Sequence, residues 1–248
     1  MKSAQLFTNN GANVALELEV MGRKGFFLKP ARRPQLPGNP WVWYAPTLMG
    51  GYPGESNVWL ITKLLDAGVA VCGMDIGESY GSPAGQKIFS EFHRRLVREH
   101  ALQPQARLLP QSRGGLMLYS WAKENPEFVQ CAAGIYPVCD LRSYPGLQEA
   151  CGAYGMTEAE LRTSLTKVNP IDGLEPLARR KIPILHIHGD QDQSVPLEAN
   201  SGEFCRRYTA LGGPMKVIVI HGKGHEECPE FHQSQKLVDF LISGGSFK

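Results

Sequence analysis

The chain has 248 residues, 42% of them hydrophobic and 20% charged, a balance that excludes a disordered or fibrous chain and suits a body with a sizeable core. Its 26 Lys and Arg against 24 Asp and Glu leave a formal charge of +2, and the basic residues are scattered apart from short groups such as Arg179-Arg180-Lys181, which excludes a nucleic-acid footprint. No apolar run spans a bilayer, no secretory leader is visible, and six cysteines without a CxxC pair point to reduced thiols, so a soluble, cytoplasmic protein with no membrane partner is expected.

In chain order, Val14 to Val20 alternates apolar and charged residues, Gly22 to Gly25 offers a turn, and Phe26-Phe27-Leu28 follows, which predicts an antiparallel hairpin. The Pro-rich stretch from Pro30 to Pro40 is a connection. From Trp41 onward short apolar runs alternate with longer amphipathic segments, the pattern of parallel strands joined by helical crossovers. Strands are predicted at Trp41 to Ala45, Val69 to Met74, Ala106 to Leu109, Cys131 to Val138, Ile182 to His188 and Met215 to Ile220. Helices are predicted at Ser56 to Asp66, Ala84 to Glu99, Gly114 to Lys123, Leu197 to Leu211 and Glu230 to Ile242. With the hairpin, this is an α/β protein with an eight-stranded, mostly parallel sheet and helices on both faces. The stretch 141–181 exceeds a simple crossover, and Thr157-Glu-Ala-Glu160 has the form of a capping box, so a small helical cap is expected there, inside one domain of residues 1–248.

The segment Leu108-Leu-Pro-Gln-Ser-Arg-Gly-Gly-Leu116 joins an apolar run to a helix-forming stretch through a serine with small or special neighbours. A serine on such a turn is held in a strained conformation that exposes its hydroxyl. This resembles the nucleophile elbow of the α/β-hydrolase family, with Ser112 as nucleophile and Gly114 as the glycine two places on. Pro110 departs from the pattern, which has a glycine there. Further along, His188-Gly-Asp-Gln-Asp192-Gln-Ser-Val-Pro196 resembles the family's acid-bearing loop, and His221-Gly-Lys-Gly-His225 its histidine loop. The resemblance implies Asp192, not Asp190, as the acid and His225 as the general base, in the order Ser, Asp, His that this fold imposes.

At finer grain Ser112-Arg-Gly-Gly, Gly77-Glu-Ser-Tyr-Gly-Ser-Pro83 and Tyr136-Pro-Val-Cys-Asp140 resemble a bacterial subgroup of open substrate, in a chain that looks like the catalytic domains of dienelactone hydrolases and prolyl oligopeptidases. The family implies an oxyanion donor at the Arg113 backbone N–H and a second in the loop after the first parallel strand, from Thr47 or Leu48. An arginine after the nucleophile is also seen in glucuronoyl esterases, which hints at carbohydrate-linked esters. The segment Gly77-Glu-Ser-Tyr-Gly-Ser-Pro83 follows a strand, so Glu78 and Tyr80 are expected either to line the mouth of the site or to brace its loop. His186 and His188 face the same way on a strand, yet no third ligand is spaced to join them, so no metal and no other cofactor is expected.

The 141–181 stretch carries Arg142, Tyr144, Glu149, Tyr154, Glu158, Glu160 and Arg162 among few large aliphatics, which suits an open, polar mouth. The resemblance implies cleavage of a carboxylic ester through an acyl-enzyme, and the polar mouth suits short acyl groups on a polar or carbohydrate alcohol. Two alternatives stand beside it: a serine peptidase or amidase, and a catalytically silent binding protein on the same scaffold.

Overall fold

The computed structural model describes residues 2–8, 13–30, 36–47 and 51–247. Eight strands form one sheet: β1 (Asn13–Val20), β2 (Arg23–Pro30), β3 (Trp41–Ala45), β4 (Ala70–Met74), β5 (Ala106–Pro110), β6 (Val129–Ile135), β7 (Ile184–Gly189) and β8 (Met215–Ile220). Their order is β1-β2-β4-β3-β5-β6-β7-β8. β2 pairs antiparallel with both β1 and β4, and the pairings from β4 through β8 are parallel. This is the α/β-hydrolase fold.

The helices are α1 (Lys2–Thr8), α2 (Val58–Asp66), α3 (Pro83–His100), α4 (Gly114–Glu124), α5 (Leu147–Tyr154), α6 (Glu158–Val168), α7 (Glu175–Arg179), α8 (Glu203–Ala210), α9 (Pro229–His232) and α10 (Gln235–Ser243). None among the described residues is long and apolar enough to cross a membrane. Strand alternation sorts the core into two layers. Trp41, Trp43 and Ala45 face α3, α4 and α8, whereas Val42 and Tyr44 face α2 and α10. Because both faces are covered, the central strands are buried along their whole length.

The hairpin turn is tighter than the predicted Gly22 to Gly25. Met21 (φ 52°) and Gly22 (φ 72°) make a two-residue connection, whose left-handed pair matches the twist of the flanking strands, and β2 begins at once with Arg23. β6 stops at Ile135 rather than Val138, because Tyr136 turns to φ 34° and Val138 N–H bonds Ser112 O at 2.8 Å. The predicted helix over Leu197 to Leu211 is a π-helical turn at Glu198–Gly202 followed by α8. The helix predicted over Glu230 to Ile242 divides into α9 and α10 at Gln233.

Within 141–181, α5 and α6 lie over the strands' carboxyl ends. Leu147, Ala150, Tyr154, Leu161 and Leu165 form one apolar cluster with Tyr80, Leu116, Val138 and Val195. The capping box closes as its sequence predicts, with Glu160 N–H bonding Thr157 Oγ1 at 3.3 Å and Thr157 N–H bonding the Glu160 carboxylate at 2.8 Å. By contrast, α7 puts Leu177 and Ala178 into the main core rather than the cap. Asp172 ties the base of this segment, accepting from Arg142 (3.0 Å), Arg207 (2.7 Å) and Asn169 (2.9 Å).

Candidate active site

Ser112 lies on the turn between β5 and α4 at φ 48°, a left-handed conformation that costs a non-glycine residue roughly 1 kcal/mol or more. The turn is over-determined. Gln111 N–H bonds Ala45 O at 2.8 Å, Ser112 N–H bonds Ile135 O at 3.0 Å, and Val138 N–H bonds Ser112 O. A Cβ on Gly114 would stand 2.0 Å from Ala45 O, and one on Gly115 2.2 Å from Val138 O, so both positions admit only glycine. Pro110 ends β5 in register with Ala45, and the N–H that bonds Ala45 O belongs to the next residue, Gln111.

Ser112 Oγ lies 2.9 Å from His225 Nε2, and His225 Nδ1 lies 2.7 Å from Asp192 Oδ2. The Asp192 carboxylate is fully buried, and its Oδ1 accepts the N–H groups of Ser194 (3.0 Å) and Val195 (2.8 Å). Burial alone would push this carboxyl up. His188, His225 and the Val195 N–H outweigh it and hold the group well below the usual carboxylate range. Asp190, the neighbouring acid, turns outward and accepts from His221 at 2.8 Å. His225 therefore has one carboxylate fixed on its Nδ1 side and a hydroxyl on its Nε2 side, which is what proton transfer from a serine requires.

Arg113 caps α4, so its N–H is one of the unpaired donors at a helix N-terminus and points positive dipole toward the serine. Its guanidinium turns to the cap, paired with Glu78 and over the Tyr144 ring. The cleft holds about 500 Å³, and its walls include Tyr44, Tyr52, Tyr136, Glu226 and Glu227 around Ser112 and His225. Tyr136 stands against the His225 ring with 4.4 Å between centroids.

Beneath the cleft lies a buried polar network that sequence reasoning missed. Gln111 Oε1 accepts from Tyr44 Oη (2.8 Å) and Asn57 Nδ2 (2.9 Å), and Gln111 Nε2 donates to Tyr136 Oη (3.2 Å). Tyr136 Oη lies 2.9 Å from His232 Nε2, and His232 Nδ1 lies 3.2 Å from Asn57 Oδ1. Five residues from distant parts of the chain thus satisfy one another. Their only signal in the sequence was a polar residue inside an apolar setting.

The expected second oxyanion donors fare differently. Leu48 lies outside the described residues. Thr47 is buried beside Gly73, and its Oγ1 has no hydrogen-bond partner among the described residues. Tyr80 is not brought to the cleft: its ring is in the cap cluster and its carbonyl accepts from Tyr154 Oη at 2.8 Å. Glu78 reaches the site only through Arg113. His186 and His188 turn their Nδ1 atoms to the same hydroxyl, Ser201 Oγ, at 2.8 Å each. Tyr52 was not singled out in the sequence, yet its Oη is buried with no partner among the described residues.

A model of the prolyl oligopeptidase family matches residues 108–243, more than half of the chain. Among solved structures the chain is similar to dipeptidyl peptidase 4 of Porphyromonas gingivalis (TM-score 0.72, 14% identity, 93% of this chain and 35% of that one). It is also similar to a puromycin-hydrolyzing peptidase of Mycobacterium tuberculosis (0.71, 15%, 95% and 40%). A third is an acylaminoacyl peptidase of Pyrococcus horikoshii (0.72, 17%, 95% and 42%). The chain spans less than half the length of each. A search of curated proteins found no significant match.

Proposed function

The chain belongs to the prolyl oligopeptidase family and is a serine hydrolase, and from that premise we propose that it cleaves peptide or amide bonds with Ser112 as nucleophile, His225 as general base and Asp192 as the orienting acid. The observation that carries the reading is the continuous line from Ser112 Oγ through His225 to Asp192, at 2.9 and 2.7 Å. His225 takes the Ser112 proton as Oγ bonds to the carbonyl carbon, then gives it to the leaving amine as the C–N bond breaks. Water enters by the same route in reverse and releases the acid. The oxyanion faces the Arg113 N–H.

Tyr52 Oη supplies the second donor in this reading. A buried hydroxyl with no partner among the described residues is suited to donate to a substrate oxygen in the same cleft, since leaving that bond unmade costs free energy. Burial, with Glu17 adding to it, pushes the phenol up, so it remains a proton donor at neutral pH. The sequence alone favoured an ester on a polar or carbohydrate alcohol. Family membership, and the three peptidases that share the fold, favour the amide instead. Ester cleavage stays as the second reading, because Glu78, Arg113 and Tyr144 keep the cap side of the cleft polar.

The test pairs a p-nitroanilide with the p-nitrophenyl ester of the same acyl group. Both should turn over, and Ser112→Ala should abolish both along with fluorophosphonate labelling. Ester turnover without any anilide turnover would return the protein to the esterase reading, and absence of labelling and of both activities would make it a silent scaffold.

A further inference from the structure

β7 carries His186 and His188 two residues apart on one face, and both rings are wholly buried. The π-helical turn Glu198–Gly202 brings the buried Ser201 hydroxyl between them. At one end Tyr119 Oη of α4 lies 2.6 Å from His186 Nε2. At the other, His188 Nε2 lies 2.8 Å from Val195 O and 3.4 Å from Asp192 Oδ2.

The protons on this chain can be assigned from what each atom is able to do. Val195 O only accepts, so His188 Nε2 carries a proton. With one proton per ring, His188 Nδ1 must then accept from Ser201 O–H. Ser201 has spent its proton, so its oxygen accepts from His186 Nδ1–H, and His186 Nε2 accepts from Tyr119 O–H. Every polar atom is satisfied and the donors all run one way, toward the acid. The reversed tautomers would aim a lone pair of His188 at both Val195 O and the Asp192 carboxylate.

We infer that Tyr119, His186 and Ser201 lock His188 as a positioning residue that holds Asp192 ionised with Oδ2 turned to His225. The inference rests on the triad reading above. Asp192 Oδ1 is fully engaged by two backbone N–H groups, so rotation of the carboxylate is resisted there, and His188 Nε2, whose N–H bonds Val195 O, stands 3.4 Å from Oδ2. Burial pushes His186 well below its ordinary range, which keeps that ring uncharged. The other titratable groups facing it are Cys139, Tyr208 and Cys131 beside Tyr119, and Tyr136, Glu227 and Cys228 on the His225 side. His221 and Asp190 pair with each other outside it.

His188→Leu, His188→Gln and Ser201→Ala test this, with p-nitrophenyl acetate as the probe and thermal melting as the check on folding. In His188→Leu, kcat should fall about three- to tenfold, the worth of one ordinary hydrogen bond, with KM within about twofold. Without that donor the carboxylate is more basic and grips the His225 proton harder. The acid limb of kcat/KM should therefore move up by about half a pH unit or more. His188→Gln, which keeps an N–H in the same place, should recover most of both effects, and Ser201→Ala should show them in weaker form.

A folded His188→Leu with wild-type kcat and an unmoved acid limb overturns the inference. So does a loss of kcat with the limb unmoved and no recovery by Gln, since that is packing alone. If His188→Leu does not fold, Ser201→Ala decides by the same readouts. Retained activity in Ser112→Ala would sink the triad reading itself, whereas an inactive Ser112→Ala beside an unaffected His188→Leu sinks only the relay.

Discussion

At the scale of single residues, Ser112 carries the strain of its turn and, in the proposed mechanism, the chemistry. Its φ of 48° is tolerated because three backbone hydrogen bonds hold the turn, so removing the side chain leaves the conformational cost in place. Ser112→Ala should thus melt like wild type while losing about 10⁴-fold or more of its activity. Ser112→Gly, which relieves the left-handed backbone, should be the more stable of the two inactive variants by about 1 kcal/mol, measurable by urea titration. Tyr52→Phe removes one hydroxyl that has no partner among the described residues. It should leave stability unchanged or slightly raised and lower kcat by about 10²- to 10³-fold, the range for one oxyanion donor. A Tyr52→Phe protein with full kcat would return the second donor to the backbone of the loop after β3.

At the scale of elements, the site depends on how closely β5, α4 and the loop after β3 approach. Gly114→Ala keeps every reacting group but drives a Cβ to 2.0 Å from Ala45 O, so α4 must move away from β3. Activity should fall at least a hundredfold, and stability by about 3 kcal/mol or more, by calorimetry. Motif reading found this glycine because the elbow pattern demands one. Gly115, against Val138 O at 2.2 Å, is just as constrained, and that constraint exists only because the chain beyond β6 folds back over Ser112. The elements that departed from their predicted bounds do so at the site's borders. β6 ends early so that Tyr136 can stand against His225, and the π-helical turn before α8 directs Ser201 inward.

For the molecule as a whole, buried histidines and paired carboxylates bend stability in the same direction with pH. Burial lowers His93, His186 and His232 below their ordinary 6.5. Asp172 is held below 3.8 by Asn169, Arg207 and Arg142, which outweigh its burial, and Glu203 is brought from 4.5 to about 2 by Arg206 and Arg207. Each of these folded-state values is depressed, so the unfolded chain binds more protons as pH falls, and stability present above the unfolded value is lost. The melting temperature should decline below about pH 6.5 as the histidines contribute, and more steeply below about pH 4.5 as the carboxylates join. A melting temperature that held or rose between pH 6.5 and pH 4 would show that these histidines are charged in the folded protein.

The sequence by itself determined the fold class, because unbroken apolar strands alternating with amphipathic helices have few ways to be buried on both faces. It also determined where the proposed triad would lie, since Ser112, Asp192 and His225 each follow a strand's carboxyl end and a parallel sheet gathers those ends along one edge. What only the tertiary structure decided were the relations that cross the chain: Tyr80 in the cap cluster rather than the mouth, Tyr52 on the cleft wall, and the polar floor linking Tyr44, Asn57, Gln111, Tyr136 and His232. The pair His186 and His188 shows the difference most clearly. Their spacing places both on one face of β7 whatever they touch, but whether that face meets a metal, an apolar layer or a serine depends on the segment packed against it. Periodicity is a local property, and hydrogen-bond partners 13 and 15 residues away on a turn of unusual geometry are not.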